Sequence, residues 1–121
     1  MIHDPYLRDM LSSLRSWCRK TESIASAQEL EGFLADEIRQ LALAKAVEQV
    51  GELAGRLLDR WPEFAQANPE LHLVDAYAMR NRLAHGYDRV ELKILYLTAR
   101  ESVPELGRQL DDLTGEANDR P

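Results

Sequence analysis

The sequence contains a single cysteine, Cys18, among its 121 residues. One thiol excludes an intramolecular disulfide framework and any zinc site built from several cysteines. Cys18 follows Leu14 by one helical turn and Leu11 by two, so the spacing predicts a small buried side chain. A catalytic thiol is the alternative, but free cysteine is so often buried that we favour a position in the core.

Long apolar runs are also missing from the chain. No uninterrupted hydrophobic segment approaches the length that spans a membrane, and the N-terminal "MIHDPYLRDM" lacks the apolar centre of a signal peptide. A cytoplasmic protein without a membrane partner is therefore expected.

The chain has no surplus of positive charge, because its formal net charge is −6. Proteins that bind nucleic acid without sequence preference usually carry a basic surplus that displaces counterions from phosphate. Any action on RNA would therefore depend on a small local basic site, or on a patch assembled by association of chains.

Segments that alternate apolar and polar residues, as exposed strands do, are absent, and the hydrophobic pattern is helical throughout. We predict an all-α fold, an antiparallel bundle of four main helices with a possible short extra helix. Residues 1–113 are assigned to one domain, and residues 114–121 to a polar, flexible tail.

The four predicted helices are separated by polar or proline-rich breaks. The first starts at the Asp4–Pro5 cap and is interrupted at "TESIAS", where Ser26 and Glu29 have the spacing of a capping box. The second runs from about Leu34 to Trp61, with a possible separate turn at 27–33. The third runs from Pro69 to about Ala84. The fourth begins near Val90 and should be kinked by Pro104, which leaves the carbonyl of Arg100 without its donor.

Two glycines, Gly51 and Gly55, lie one turn apart on the second long helix. Each costs roughly 1 kcal/mol of helix stability relative to alanine. We expect the compensation to be the close approach of another helix, from the same chain or from a partner.

The stretch "AMRNRLAHGY", residues 78–87, places two arginines beside a histidine where the third apolar pattern ends. Leu73, Tyr77, Arg80 and Ala84 follow 4-3-4 spacing, so Arg80 falls on an otherwise apolar stripe. A half-buried arginine needs an anionic partner, a route for its charge to reach solvent, or a ligand. Glu52 on the glycine-bearing helix is a candidate partner.

His85 lies five residues after Arg80, about 140° around a continuous helix. The two side chains can converge within one chain only if the helix ends or loosens near Gly86, or else across a twofold axis between two chains. Together they suffice for metal-free RNA cleavage, because arginine binds phosphate and histidine transfers protons to and from a 2′-hydroxyl nucleophile. The alternative is structural: cations stabilise a helix C-terminus and His85 caps it.

The octapeptide Arg80-Asn-Arg-Leu-Ala-His85-Gly-Tyr87 resembles the R-x4-H-x-Y motif of HepT-like toxins in the HEPN superfamily. The resemblance extends from about residue 30 to 110 and includes "GF" at 32–33, "AVEQVGELAGRL" at 46–57 and "VPEL" at 103–106. It implies a HEPN-like helical bundle that dimerises with its Arg–His pairs at the interface.

The resemblance also implies a function. The chain would be a metal-independent endoribonuclease toxin of a toxin–antitoxin system (type VII, earlier classed as type II), with no cofactor and RNA as substrate. Arg80 and His85 would be catalytic, with Asn81 and Arg82 in supporting positions. A nucleotidyltransferase antitoxin similar to MntA would silence it by AMPylation of Tyr87. The rival hypothesis is a non-catalytic HEPN module that binds a nucleotide or a partner.

Two further predictions concern association and metals. We predict a homodimer, with the helix that bears Gly51 and Gly55, or the 69–87 segment, at its interface. His72 and Asp75 could supply two metal ligands, but no third or fourth ligand is evident, so a solvated helix start is favoured and no metal site is predicted.

Overall fold

The computed structural model of the chain describes residues 2–86 and 90–115. The elements are α1 (Pro5–Ser26), α2 (Leu30–Leu34), α3 (Glu37–Arg60), α4 (Pro62–Ala67), a 3-10 turn (Pro69–Leu71), α5 (Leu73–Gly86), α6 (Leu92–Leu97), a π-helical segment (Thr98–Ser102) and α7 (Val103–Thr114). No strand occurs within the described ranges. The all-α prediction is confirmed.

Helix α1 begins as predicted and ends later than predicted. The Asp4 carboxylate caps it by accepting hydrogen bonds from the backbone N–H of Tyr6 and Leu7. The helix then continues through "TESIAS" to Ser26, so both the predicted interruption and the capping box are wrong. The reason is that Thr21 and Ala25 extend the buried stripe at helical spacing, and the Thr21 hydroxyl bonds the carbonyl of Trp17.

Helix α3 is the longest element and matches the predicted second helix. Asp36 caps its first turn by accepting a hydrogen bond from the N–H of Arg39. The predicted separate turn before it is α2, whose Phe33 is fully buried. After Arg60, Pro62 starts the short helix α4 at a position where its missing N–H costs nothing.

The predicted third helix is shorter than its pattern suggested. Pro69 begins only a 3-10 turn, and His72 then adopts a left-handed conformation with φ 50°. Helix α5 therefore begins at Leu73 and continues to Gly86. The left-handed residue separates the two pieces because an α-helix cannot pass through that backbone conformation.

The predicted fourth helix is divided into α6, the π-helical segment and α7. Pro104 has no N–H to offer Arg100, and the chain widens into π-helical turns immediately before it, where the N–H of Val103 donates to the carbonyl of Thr98. A change in helical pitch therefore accompanies Pro104, and the expected kink stays a prediction. Gly115, with φ 73°, ends α7. The predicted tail lies mostly outside the described residues, and the single-domain assignment of 1–113 stays a prediction.

Helix α3 packs against α1 on one side and α5 on the other, and α7 lies against α1. Cys18 belongs to the core between α1, α3 and α7, so its predicted burial is confirmed. Burial raises the pKa of the Cys18 thiol to about 12, and the nearby carboxylate of Asp111 adds to this effect. Such a thiol is a poor nucleophile at neutral pH.

Within the described part of the chain, no helix is both long and apolar enough to cross a bilayer.

Candidate functional site

The cluster predicted from residues 80–87 lies on the C-terminal half of α5. Only two residues of this helix, Leu73 and Leu83, are buried, and Leu83 anchors its C-terminal half in the core. The other side chains of this half remain half-buried or exposed. Tyr87, the proposed modification site, lies outside the described residues.

Arg80 is held by two neighbouring polar groups. Its Nε donates to Glu52 Oε2 at 2.9 Å, and its Nη1 donates to Asn81 Oδ1 at 3.0 Å. The predicted Glu52 partner is therefore confirmed. Nη2 makes no hydrogen bond to any described residue, and 30% of the arginine side chain is exposed. Glu52 and Asn81 thus hold the Arg80 guanidinium in place without using its Nη2 edge.

The position of Arg80 depends on Gly51. A Cβ at Gly51 would lie 2.3 Å from Arg80 Cβ and 2.5 Å from the carbonyl oxygen of Ala76. A Cβ at Gly55 would meet the ring of Tyr77 at 2.5 Å. Both glycines therefore allow close packing of α3 against α5. The sequence left open whether the approaching helix comes from the same chain or from a partner, and the structure shows that it comes from the same chain.

The charged group contains a second arginine, Arg56, which lies on α3. Arg56 Nε lies 3.8 Å from Glu52 Oε1, one helical turn away on the same helix. Glu52 therefore sits between Arg56 and Arg80, and the carboxylate is 33% exposed. Arg56 was not predicted from the sequence, although its i,i+4 spacing from Glu52 was a usable signal.

His85 and Arg82 lie on a different part of α5. Both side chains are exposed, and both line a cleft of about 370 Å³ whose apolar walls include Met79, Val90 and Ile94. The helical pattern gave no reason to single out Met79 or Ile94, since each fits an ordinary apolar position. The cleft combines an imidazole, a guanidinium and the carboxylate of Glu91 with apolar surface.

The structure brings Arg80 and Asn81 together but does not place His85 with them through a loosened helix end. Helix α5 stays α-helical through Gly86, so the five-residue separation corresponds to about 140° of rotation and about 7.5 Å along the axis. Arg80 and His85 therefore do not converge within one chain through a loosened end of α5.

His72 and Asp75 form only a loose surface pair. Their closest atoms, Nδ1 and Oδ2, are 3.7 Å apart, and both side chains are largely exposed. Among residues 2–86 and 90–115, no group of three or more His, Cys, Asp or Glu side chains is arranged to hold a metal ion.

Comparison with known proteins identifies the family. A family model described as "Ribonuclease HepT-like" matches residues 14–113. A protein of Thermococcus cleftensis named "Probable ribonuclease HepT" is 28% identical over 111 residues, which cover 92% of this chain and 94% of the relative. A protein of Caldanaerobacter subterraneus subsp. tengcongensis that carries an RNase name is 25% identical over 109 residues, covering 90% and 91%. No solved structure matches.

The family match covers most of the bundle, from the middle of α1 to the last turn of α7, and includes Arg80, His85 and the Gly51–Gly55 pair. The resemblance read from residues 80–87 is thereby confirmed at the level of the family. The chain belongs to the HepT-like ribonuclease family.

Proposed function

We propose that this protein is an endoribonuclease toxin that cleaves RNA without a metal ion, with Arg80 and His85 as its catalytic residues. The observation that carries the proposal is the arrangement of Arg80. Glu52 and Asn81 fix its guanidinium while the Nη2 edge makes no hydrogen bond to a described residue. Such a preorganised fork suits a phosphate oxygen, which accepts charge-assisted hydrogen bonds.

In the proposed mechanism the 2′-hydroxyl of the substrate attacks the adjacent phosphorus and expels the 5′-oxygen of the next nucleotide. Arg80 stabilises the added negative charge on the non-bridging oxygens. His85 accepts the proton of the 2′-hydroxyl as base, and the leaving 5′-oxygen takes a proton from the resulting imidazolium or from water. The products are a 2′,3′-cyclic phosphate and a free 5′-hydroxyl, and neither step requires a metal-bound water.

In a homodimer, Arg80 and His85 would converge across the twofold axis between the two chains. The outward side of α5 supports this assembly: Val74 is 65% exposed, and Ala84 and His85 are exposed further along the same helix. Apolar side chains on one exposed helix face are typical of an association surface. Gly51 and Gly55 are occupied by α5 of their own chain, which favours the 69–87 segment as the interface.

The direct test is an assay of the purified protein on RNA in excess EDTA, followed by analysis of the product ends. We expect cleavage that leaves 2′,3′-cyclic phosphates, from a species that sediments as a dimer at micromolar concentration. Absence of cleavage with and without divalent ions would favour the rival function, a nucleotide- or partner-binding module. A monomer that cleaves RNA would exclude the shared site.

Tyr87 is proposed as the site at which a nucleotidyltransferase antitoxin attaches AMP. The adduct would add a negatively charged phosphate two residues after His85, and arginines near it would bind that phosphate in place of RNA. We expect Tyr87→Phe to keep at least part of the nuclease activity and to escape silencing when incubated with the partner and ATP.

Mass spectrometry of the incubated protein checks the assignment. Tyr77→Phe is the matched control, because Tyr77 is an exposed tyrosine ten residues earlier in the chain, and its replacement should leave the modification unchanged. An adduct on another residue, or full silencing of the Tyr87→Phe variant by nucleotide transfer, would show that the assignment is wrong.

A further inference from the structure

A shallow groove between α1 and α3 concentrates positive charge on a chain whose net charge is −6. Its floor is formed by Trp17, Ala42 and Ala46, and its rim carries Arg19, Lys20 and Lys45. The three cationic side chains are exposed, while Trp17 is half-buried and Ala46 is buried. We call this surface the basic groove.

The positive charge of the basic groove is only weakly neutralised. None of the described residues that line it carries a carboxylate. Glu22 lies about 60° around α1 from Arg19, and Glu48 about 60° around α3 from Lys45, but neither acid forms an ion pair with these cations. Arg19 lies 3.9 Å from Asp111, but that carboxylate is already engaged by a direct hydrogen bond from Arg15.

The floor of the basic groove offers an aromatic surface next to this charge. Lys20 Nζ lies over the Trp17 ring, 4.2 Å from its centroid, so a stacked base would take the place of this ammonium group and leave it to bind a phosphate. Single-stranded nucleic acid is commonly held by aromatic rings on which bases stack and by cations that follow the backbone phosphates. The basic groove provides both groups within one turn of α1.

The basic groove lies beside the candidate catalytic cluster. Lys45 precedes Glu52 by seven residues, which places the two on nearly the same face of α3, about 10.5 Å apart along the helix axis. Glu52 binds Arg80 directly. A few nucleotides of single-stranded RNA can cover this distance.

We propose that the basic groove binds the substrate RNA, next to the scissile phosphate, with Lys20 and Lys45 on backbone phosphates and Trp17 against a base. The inference rests on the proposed nuclease function and names the part of the protein that holds the single strand. Another cleft, of about 530 Å³, is less suited to RNA, because Glu70, Asp75 and Glu105 line it and would repel phosphate.

The test measures binding of a fluorescein-labelled dodecamer of uridine by anisotropy, in a His85→Ala background so that the RNA stays intact. Lys20→Glu and Lys45→Glu are each expected to raise Kd by roughly tenfold and to reduce the slope of log K against log salt by about one. Arg8→Glu is the matched control, since it makes the same charge change at an exposed position on α1 and should leave Kd within about twofold.

Fluorescence supplies a second readout that does not depend on charge. The chain contains two tryptophans, so Trp61→Phe leaves Trp17 as the sole emitter, and stacking of a uridine should quench its emission. Equal Kd values for the Lys20→Glu, Lys45→Glu and Arg8→Glu variants, or no quenching of Trp17 emission when RNA binds, would overturn the inference. If wild type cleaves RNA while both lysine variants bind RNA normally but lose capture by a protein partner, the groove is a protein-docking surface instead.

Failure of the proposed function gives a different result from failure of this inference. A wild-type protein that neither cleaves nor binds RNA removes the nuclease proposal and the groove proposal together. A wild-type protein that cleaves RNA in EDTA, with Lys20→Glu and Lys45→Glu matching it in KM and in Kd, removes the groove proposal alone.

Discussion

Replacing His85 with alanine is expected to reduce the rate of RNA cleavage in EDTA by about 100-fold or more, because general acid–base catalysis by a positioned side chain contributes roughly 10²–10⁴-fold. The fold should persist, since the His85 side chain is exposed and has no hydrogen bond to a described residue. Exposed substitutions of this kind usually change stability by less than about 0.5 kcal/mol. Cleavage rates and thermal unfolding of the same preparations give the measurement.

His72→Asn is the matched control for that substitution. His72 is an exposed histidine that precedes the same helix, and its left-handed backbone, with φ 50°, is one that asparagine tolerates. The control should cleave RNA at the wild-type rate. If His85→Ala cleaves equally well, His85 does not transfer the proton and the proposed mechanism is wrong.

Arg80→Ala in the same assay separates phosphate binding from a structural role. Its ion pair with Glu52 is well formed at 2.9 Å, but both side chains are about one-third exposed. Solvent screening limits the stability contributed by such a pair to about 0–1 kcal/mol. We therefore expect loss of cleavage with little change in Tm. A large fall in Tm would indicate that Arg80 mainly secures α5 to α3.

Replacing Gly51 with alanine is expected to destabilise the fold by about 2–3 kcal/mol and to lower Tm by an amount on the order of 10 °C. The new Cβ would stand 2.3 Å from Arg80 Cβ and 2.5 Å from the backbone oxygen of Ala76. Neither contact can be relieved by rotating a side chain, so α5 must move away from α3. That displacement would also shift the guanidinium of Arg80 from its partners.

Gly107→Ala is the control for the general effect of removing a helical glycine. The nearest atom to its new Cβ is Cys18 Cβ at 3.6 Å, which is ordinary contact. The higher helix propensity of alanine should then stabilise the protein by about 0.5–1 kcal/mol. Gly55→Ala is expected to fall between the two, because the half-exposed Tyr77 ring can rotate away. A Gly51→Ala variant as stable as wild type would show that the two helices need no such proximity.

Spacing in the sequence was sufficient to predict the long helix α3 and the burial of Cys18, and it named Glu52 as a candidate partner of Arg80. These features follow from strong apolar periodicity and from the requirement that a half-buried charge find a partner. The close packing at Gly51 and Gly55 was also predictable, but the identity of the packing helix required the tertiary fold.

The predicted helix break was wrong where polar residues are buried by parts of the chain that are distant in sequence. "TESIAS" has the composition of a break, yet Thr21 is fully buried and satisfies its hydroxyl within the helix. The left-handed His72 had only a weak sequence signal, because histidine adopts that conformation less readily than glycine does. The convergence of Arg80 with His85 depends on a second chain in our proposal, and no single-chain pattern contains that information.

The π-helical segment before Pro104 allows the chain length to change without a change in helix phase. A π-helical turn accommodates one extra residue within an α-helix, so deleting one residue between Thr98 and Ser102 should restore regular α pitch and keep the flanking segments in phase. Leu106 and Leu110, which pack in the core, would then keep their positions. Among relatives, a single-residue length difference is therefore expected at this segment, and relatives that lack the residue should have regular α-helix there.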